Sequence, residues 1–210
     1  MRSERSGTAL APERLRTDAA SVLGRPLSDL ELERLVKYMQ LLIKWQRSQR
    51  LVGSSEPDWI IDHIVIDSLL FARLLPSTTD RILDIGSGAG VPGIPLKIVN
   101  EQISFTLLEA RAKRVSFLSA VVRELALVRC DVVNERLETV AHERSLFFDV
   151  AVLRCAGNPA DLLGAALPVL KPGGVVIAAG PPRRRPTLGG DWIEVEGPRG
   201  NRLFWVARKA

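Results

Sequence analysis

The chain has 210 residues, of which 46% are hydrophobic and 25% charged, the composition of an ordinary globular protein with a buried core. No apolar run approaches the length of a membrane span, and the Arg- and Glu-bearing start has no apolar stretch followed by a cleavage site, so a cytoplasmic protein without a membrane partner is expected. Two cysteines, Cys130 and Cys155, are too few for a disulfide framework and no Cys or His cluster has metal-ligand spacing, so no metal is expected, while a net charge of +5 favours an anionic partner.

Residues 1–10 are polar, mixed in charge and read as a disordered N-terminus, and residues 11–76 read as a helical cap. A first helix is expected over Pro12 to Leu23. Ser28 and Glu31 have the spacing of a capping box, and Leu32, Leu35, Val36, Met39, Leu42 and Ile43 recur at helical intervals, so a longer helix runs to about Arg47. After the break Val52-Gly-Ser-Ser55, Pro57 opens a third helix through Leu75 that buries Ile60, Ile61, Ile64 and Leu69. His63 and Asp67 lie one turn apart on it. Without a serine or cysteine partner they make no hydrolase, and the pair is expected to tie the cap to the sheet.

From Arg81 the pattern becomes an alternation of strands and helices. The first strand, Ile82 to Ile85, runs into Gly86-Ser-Gly-Ala-Gly90, whose glycines can adopt positive φ and leave no Cβ between main chain and ligand. A helix over Ile94 to Val99 follows, then a strand over Ile103 to Leu108 that ends in Glu109. That acid stands about 20 residues past the loop, the place where a carboxylate accepts hydrogen bonds from ribose hydroxyls. The order serves dinucleotides and S-adenosylmethionine alike. Pro92 sits in the first helical turn, where a pyrophosphate wants a free amide, and Asp84, Gly86, Gly88 and Gly90 spell Asp-x-Gly-x-Gly-x-Gly, which resembles motif I of S-adenosylmethionine-dependent methyltransferases.

The remaining strands are read at Val128 to Val133, Phe148 to Leu153, Val175 to Ala179, Trp192 to Glu196 and Leu203 to Ala207, with helices between the first five. Such alternation makes an α/β fold, a doubly wound and mostly parallel sheet of seven strands in a Rossmann-like core over residues 77–210. Only Gly197-Pro-Arg-Gly200 joins the last two, which should form a hairpin and place one antiparallel strand in the sheet, the variant found in class I methyltransferases.

Methyl transfer from a sulfonium is an in-line displacement, so positioning is the first requirement. An amine or hydroxyl acceptor also needs a proton acceptor, whereas a purine N7 offers a free lone pair. Gly157-Asn158-Pro159-Ala160 lacks the second proline and the aromatic of an amine-methylating motif and reads as a helix cap, and Cys155 lacks the proline that precedes a cytosine-attacking cysteine. Arg154 ends the fourth strand at the carboxyl edge, where open α/β sheets bind ligands, and could orient substrate or pair with Asp149 or Asp161. Arg136 follows the third strand on the same edge and could hold phosphate, touch a guanine O6 or cap a loop. Basic residues cluster at Arg47 and Arg50, at Arg111, Lys113 and Arg114, at Arg183, Arg184 and Arg185, and at Arg199, Arg202, Arg208 and Lys209.

Several stretches together resemble the RsmG/GidB-type 16S ribosomal RNA guanine-N7 methyltransferases. They are His63-Ile-Val-Ile-Asp-Ser68, Leu83-Asp-Ile-Gly-Ser-Gly-Ala-Gly-Val-Pro-Gly-Ile-Pro-Leu96, Leu107-Leu-Glu-Ala-Arg-Ala-Lys-Arg-Val-Ser-Phe-Leu118, Arg136-Leu-Glu138 and Asp149-Val-Ala-Val-Leu-Arg154. The resemblance implies S-adenosyl-L-methionine as cofactor, bound by Asp84, Gly86, Ser87, Gly88, Gly90, Glu109 and Ala110, with Leu137 and Glu138 bordering its adenine and Arg154 at the boundary with substrate. It implies 16S rRNA or a small-subunit ribonucleoprotein as partner of a monomer, with Arg154 and Arg136 positioning the base and Lys113, Arg111 and Arg183 to Arg185 meeting RNA. The chain departs from the family at Arg50-Leu51-Val52, Asp62, Cys155 and Ala179. A small-molecule methyltransferase, or a catalytically weakened donor-binding protein that contacts RNA, are the alternatives.

Overall fold

The computed structural model describes residues 11–154, 159–180 and 189–210. The expectations for residues 1–10, Cys155, Asn158 and Arg183 to Arg185 therefore lie outside the described residues.

Helix α1, Pro12–Leu23, starts on proline and stops at Gly24, whose φ of +66° turns its N–H back to the Ala20 carbonyl. Helix α2, Asp29–Gln46, carries the capping box in full: Glu31 N–H donates to Ser28 Oγ at 3.2 Å and Ser28 N–H to Glu31 Oε2 at 2.7 Å. The third helix is not the single regular helix that its spacing suggests. It begins as α3, Pro57–Ile60, widens into a π segment at Ile61–Ile66, continues as α4, Asp67–Leu69, and tightens to a 3₁₀ turn at Leu70–Leu74. In the wide part the Asp67 N–H reaches the Asp62 carbonyl, so the apolar periodicity persists while one extra residue enters the turn.

The sheet comprises β1 (Arg81–Ile85), β2 (Ser104–Leu108), β3 (Cys130–Val133), β4 (Phe148–Leu153), β5 (Leu170–Ala179), β6 (Asp191–Gly197) and β7 (Gly200–Arg208), in the order β3-β2-β1-β4-β5-β7-β6. The first five are parallel, and β7 runs antiparallel between β5 and β6, as the short hairpin connection requires. Helices α5 (Gly93–Val99), α6 (Ala112–Glu124), α7 (Leu137–Glu143) and α8 (Pro159–Ala166) connect the parallel strands.

Side-chain alternation divides the core into two layers. Ile82, Val150, Val152, Val175 and Ile177 face the cluster that also holds Leu35, Tyr38 and Leu42 of α2 and Ile60, Ile61 and Ile64 of the third helix. Leu83, Ala151, Leu153, Val176 and Ala178 face the layer of Leu137, Val140 and Ala166. The N-terminal helices thus share one continuous core with a face of the sheet. Arg14 and Arg199 both pair with buried Asp62, and Arg202 pairs with partly buried Asp67 at 3.0 Å, so carboxylates on the cap receive guanidiniums from α1 and from the β6–β7 hairpin.

Candidate active site

The sheet order reverses between β1 and β4, and open α/β folds bind ligands at the carboxyl end of that crevice. A cleft of about 490 Å³ lies there. Gly86, Ser87, Gly88, Ala89, Glu109, Arg111, Arg114 and Arg154 contribute from the sheet edge, and Leu51, Val52, Gly53, Trp59 and Ile64 from the cap.

The loop after β1 has the backbone its glycines foreshadow, with φ of +69° at Gly86, +56° at Gly88 and +84° at Gly90. A Cβ at Gly86 would meet no protein atom within 4 Å, so that backbone faces open space. Ser87 N–H donates to the Leu108 carbonyl at 2.9 Å and Ser87 Oγ to the Asp84 carbonyl at 3.0 Å, which pins the loop to β2 and β1. Tyr38 holds it from the cap: its fully buried phenol donates to the Ala89 carbonyl at 2.7 Å.

Glu109 is nearly buried and organises the loop around itself. Its Oε2 accepts the Gly88 N–H at 3.0 Å with Arg114 at 3.7 Å, and its Oε1 accepts the Arg111 N–H at 2.9 Å. A carboxylate has about four acceptor positions, so each oxygen retains capacity for a hydroxyl from the cleft. Asp84 plays a different part. Completely buried behind the loop, it accepts the Gly93 N–H at 3.1 Å through Oδ2, while Oδ1 has no partner. Burial pushes its carboxyl up to about 7. The amide beside Pro92 that a pyrophosphate would use is already taken by this side chain.

Arg154 lines the cleft at the end of β4, with the side chain mostly buried. Among the described residues its ion-pair partner is Asp67, at 3.4 Å, instead of Asp149, and the side chain of Asp161 lies outside what the structure describes. Asp149 is engaged at the other end of β4, accepting from Lys171 at 2.6 Å and from the Asp80 and Arg81 amides at 3.0 and 2.8 Å. Nη1 of Arg154 is buried without a partner among the described residues, leaving one donor uncommitted there. Asp67 therefore ties cap to sheet, and His63 instead packs on Trp59, ring centroids 4.9 Å apart. Burial holds the Asp67 carboxyl above the ordinary range, partly offset by Arg202 and Arg154.

The other expected site residues in the described part of the chain lie outside the cleft lining. Ala110 and Lys113 are exposed beside Glu109 and along the first turn of α6. Arg136 is the exposed N-cap of α7, followed by buried Leu137 and exposed Glu138; none of the three, nor Gly90, lines the cleft. The basic clusters separate. Arg199 and Arg202 pair with cap carboxylates, Arg208 donates to the Gly173 carbonyl and Lys209 to those of Leu167 and Leu170. Sequence reasoning placed Arg114 in a basic cluster without its pairing to Glu109, and it missed Tyr38 and the cap's contribution to the cleft. Among the described residues no group of three or more His, Cys, Asp or Glu side chains is placed to hold a metal ion, and no helix is long and apolar enough to cross a membrane.

Comparison with known proteins agrees with this geometry. A structure titled as an S-adenosylmethionine-dependent methyltransferase from Aquifex aeolicus superposes with a TM-score of 0.52 at 15% identity, over 70% of this chain and 91% of that one, which shows the class I Rossmann-like fold. The ribosomal RNA small subunit methyltransferase G of Fusobacterium nucleatum is 36% identical over 69% of this chain and 62% of its own length. That of Ectopseudomonas mendocina is 39% identical over 60% and 58%, so the chain spans under two thirds of both relatives. A third, from Polynucleobacter asymbioticus, is 35% identical over 74% and 72%. The family model for rRNA small subunit methyltransferase G matches residues 31–180, a stretch that includes the glycine loop, Glu109, Arg154 and most of the cap, and the chain belongs to that family.

Proposed function

We propose that this chain is an S-adenosylmethionine-dependent methyltransferase that modifies N7 of a guanine in small-subunit ribosomal RNA, acting as a monomer in the cytoplasm where that RNA is assembled. The observation that carries the reading is one cleft in which Glu109 and the open backbone of Gly86 lie beside an arginine with an uncommitted buried donor.

The residues fit the cofactor. The free acceptor positions of Glu109 suit a ribose diol, and Gly86 admits a close ligand where a side chain would intrude. Ser87 and Gly88 hold the loop in shape, and Asp84 does so from behind by fixing the start of α5. When bound, the donor supplies a methyl group on a positively charged sulfur. The protein's part is to orient the acceptor and exclude water. A guanine N7 already bears a lone pair, so no side chain has to take a proton, consistent with a cleft in which arginines outnumber bases. Arg154 Nη1 offers a donor for O6 or a phosphate, while Arg111 and Lys113 at the mouth suit an RNA backbone. Arg136, outside the cleft lining, fits a phosphate contact better than a base contact.

Ribosomal RNA from cells with and without this gene, cleaved chemically at N7-methylguanine and mapped by reverse transcription, tests the reading. One small-subunit guanine should lose its methyl group in the absence of the gene. Identical maps, together with efficient methylation of a free metabolite by the purified protein, would move the assignment to a small-molecule methyltransferase.

A further inference from the structure

The cap side of the cleft holds an aromatic ring that is not among the residues proposed above to hold the donor. Trp59, on α3, is half-buried and lines the cleft beside Ile64. Two neighbours fix the ring. Its Cζ2 lies 3.3 Å from where a Cβ of Gly53 would be, so the loop after α2 lies against the ring and a side chain there would crowd it. The His63 imidazole packs 4.9 Å away at a tilt of 44°. The Gly53 loop is itself clamped: Gln46 Oε1 accepts the Leu51 and Val52 amides at 2.8 and 3.0 Å, and Gln46 Nε2 donates to the Val52 carbonyl at 2.6 Å.

The ring also belongs to one side of the cleft. The helical segment that carries Trp59 continues to Asp67, which pairs with Arg154 at the end of β4, whereas Glu109 and Arg111 stand at the end of β2. Glu109 and Arg111 thus stand over β2 and Arg154 over β4, with β1 and its glycine loop between them, and the indole lies on the cap segment that Asp67 ties to Arg154. A rigid aromatic ring, an arginine with a spare donor and apolar walls from Leu51 and Ile64 make a slot suited to a planar, polar-edged ring lifted out of its stack.

We propose that Trp59 is the stacking platform for the acceptor guanine, with Arg154 reading its edge; this rests on the N7-methylation reading above. The choice of aromatic ring has a chemical consequence. The bond to sulfur breaks as the bond to N7 forms, so the positive charge leaves the sulfonium and arrives on the purine. An indole face attracts a cation more than a neutral ring of the same shape. Trp59 therefore favours the methylated base over the unmethylated one and gains attraction as the reaction advances.

The test compares Trp59→Phe and Trp59→Leu with wild type, using small-subunit rRNA as substrate, S-adenosylhomocysteine calorimetry and quenching of indole fluorescence by 7-methylguanosine monophosphate. The Leu variant should lose about 10- to 100-fold in kcat/KM, the range expected of one base–aromatic stack, and Phe should recover most of it. S-adenosylhomocysteine should bind both variants as it binds wild type. The methylated nucleotide should quench wild-type emission more strongly than unmethylated guanosine monophosphate does, and Trp59→Phe should abolish the difference. A Leu variant as fast as wild type, a parallel loss of S-adenosylhomocysteine affinity, or quenching that survives Trp59→Phe each overturns the assignment. If wild type itself leaves every rRNA guanine unmethylated, the underlying reading fails instead.

Discussion

Replacing Tyr38 by phenylalanine removes one oxygen atom and tests whether the cap preorganises the glycine loop. The ring is fully buried, so Phe retains its packing and only the 2.7 Å bond to the Ala89 carbonyl is lost. A buried bond deleted from one side costs about 1–3 kcal/mol, because the orphaned carbonyl keeps its desolvation penalty. For a chain of this size each kcal/mol lowers Tm by roughly 2–4 °C, which places the fall at about 2–12 °C. Donor affinity should weaken by less than about 10-fold, below the ~1.4 kcal/mol that a factor of ten represents, since Glu109 still holds Gly88. Thermal unfolding and S-adenosylhomocysteine calorimetry on the two proteins measure both numbers. An unchanged Tm would refute the argument that this oxygen fastens the loop to the cap.

Glu109→Ala removes the acceptor of the Gly88 and Arg111 amides as well as the proposed ribose partner, bonds worth about 1.5–3 kcal/mol each to a charged group, so donor binding should weaken at least about 10-fold in calorimetry; wild-type affinity would take the acid out of the site. Arg154→Ala should abolish methyl transfer while donor affinity stays near wild type, and a parallel loss of donor binding and Tm would reduce the arginine to a structural partner of Asp67. The Asp84 carboxyl titrates near 7 in the folded chain, above its ordinary value of 3.8, so the native state holds the extra proton: its contribution to stability is complete below the ordinary value and is lost as pH rises towards 7. Urea midpoints of wild type and Asp84→Asn should therefore diverge between acid and neutral pH, and parallel curves would contradict the shift. RNA affinity should fall with salt, and alanine at Arg111 and Lys113 should flatten the log–log slope by about 0.7–0.9 per phosphate contact removed; an unaltered slope would place the RNA elsewhere.

What was legible in the sequence was whatever a local pattern dictates. The carboxyl ends of β1 to β5, the capping box at Ser28, the hairpin at Gly197 to Gly200 and the glycine conformations all follow from periodicity or from residue-specific backbone limits, whereas β5 begins at Leu170 instead of Val175, β7 at Gly200 instead of Leu203 and β3 at Cys130 instead of Val128. The family resemblance located the loop and its acid as well. Illegible were the features decided by partners distant in the chain. Nothing near Tyr38 announces that its hydroxyl meets Ala89, and Trp59 reads as one more apolar position on a helix. The π segment keeps a helical hydrophobic pattern, so its widening leaves no trace in spacing. Charge misled in the same way, since Arg199 and Arg202 look like a surface cluster until the fold brings Asp62 and Asp67 beneath them.

The carboxylate of Asp62 joins Arg14 to Arg199, side chains separated by nearly the whole length of the polypeptide. During synthesis the cap helices emerge first and the β6–β7 hairpin long afterwards, so through most of translation two acids due for burial, Asp62 and Asp67, lack the cations from the hairpin. Asp62 meets Arg14 early and Asp67 meets Arg154 with β4, but a partly paired carboxylate is still costly to bury, and the nascent cap should stay looser until the hairpin supplies its two guanidiniums. The roof of the cleft thus takes its final form late, when the last strands close the sheet, and a ribosome-stalled fragment without the hairpin should expose the cap to proteolysis even though every residue of the donor loop has already been made.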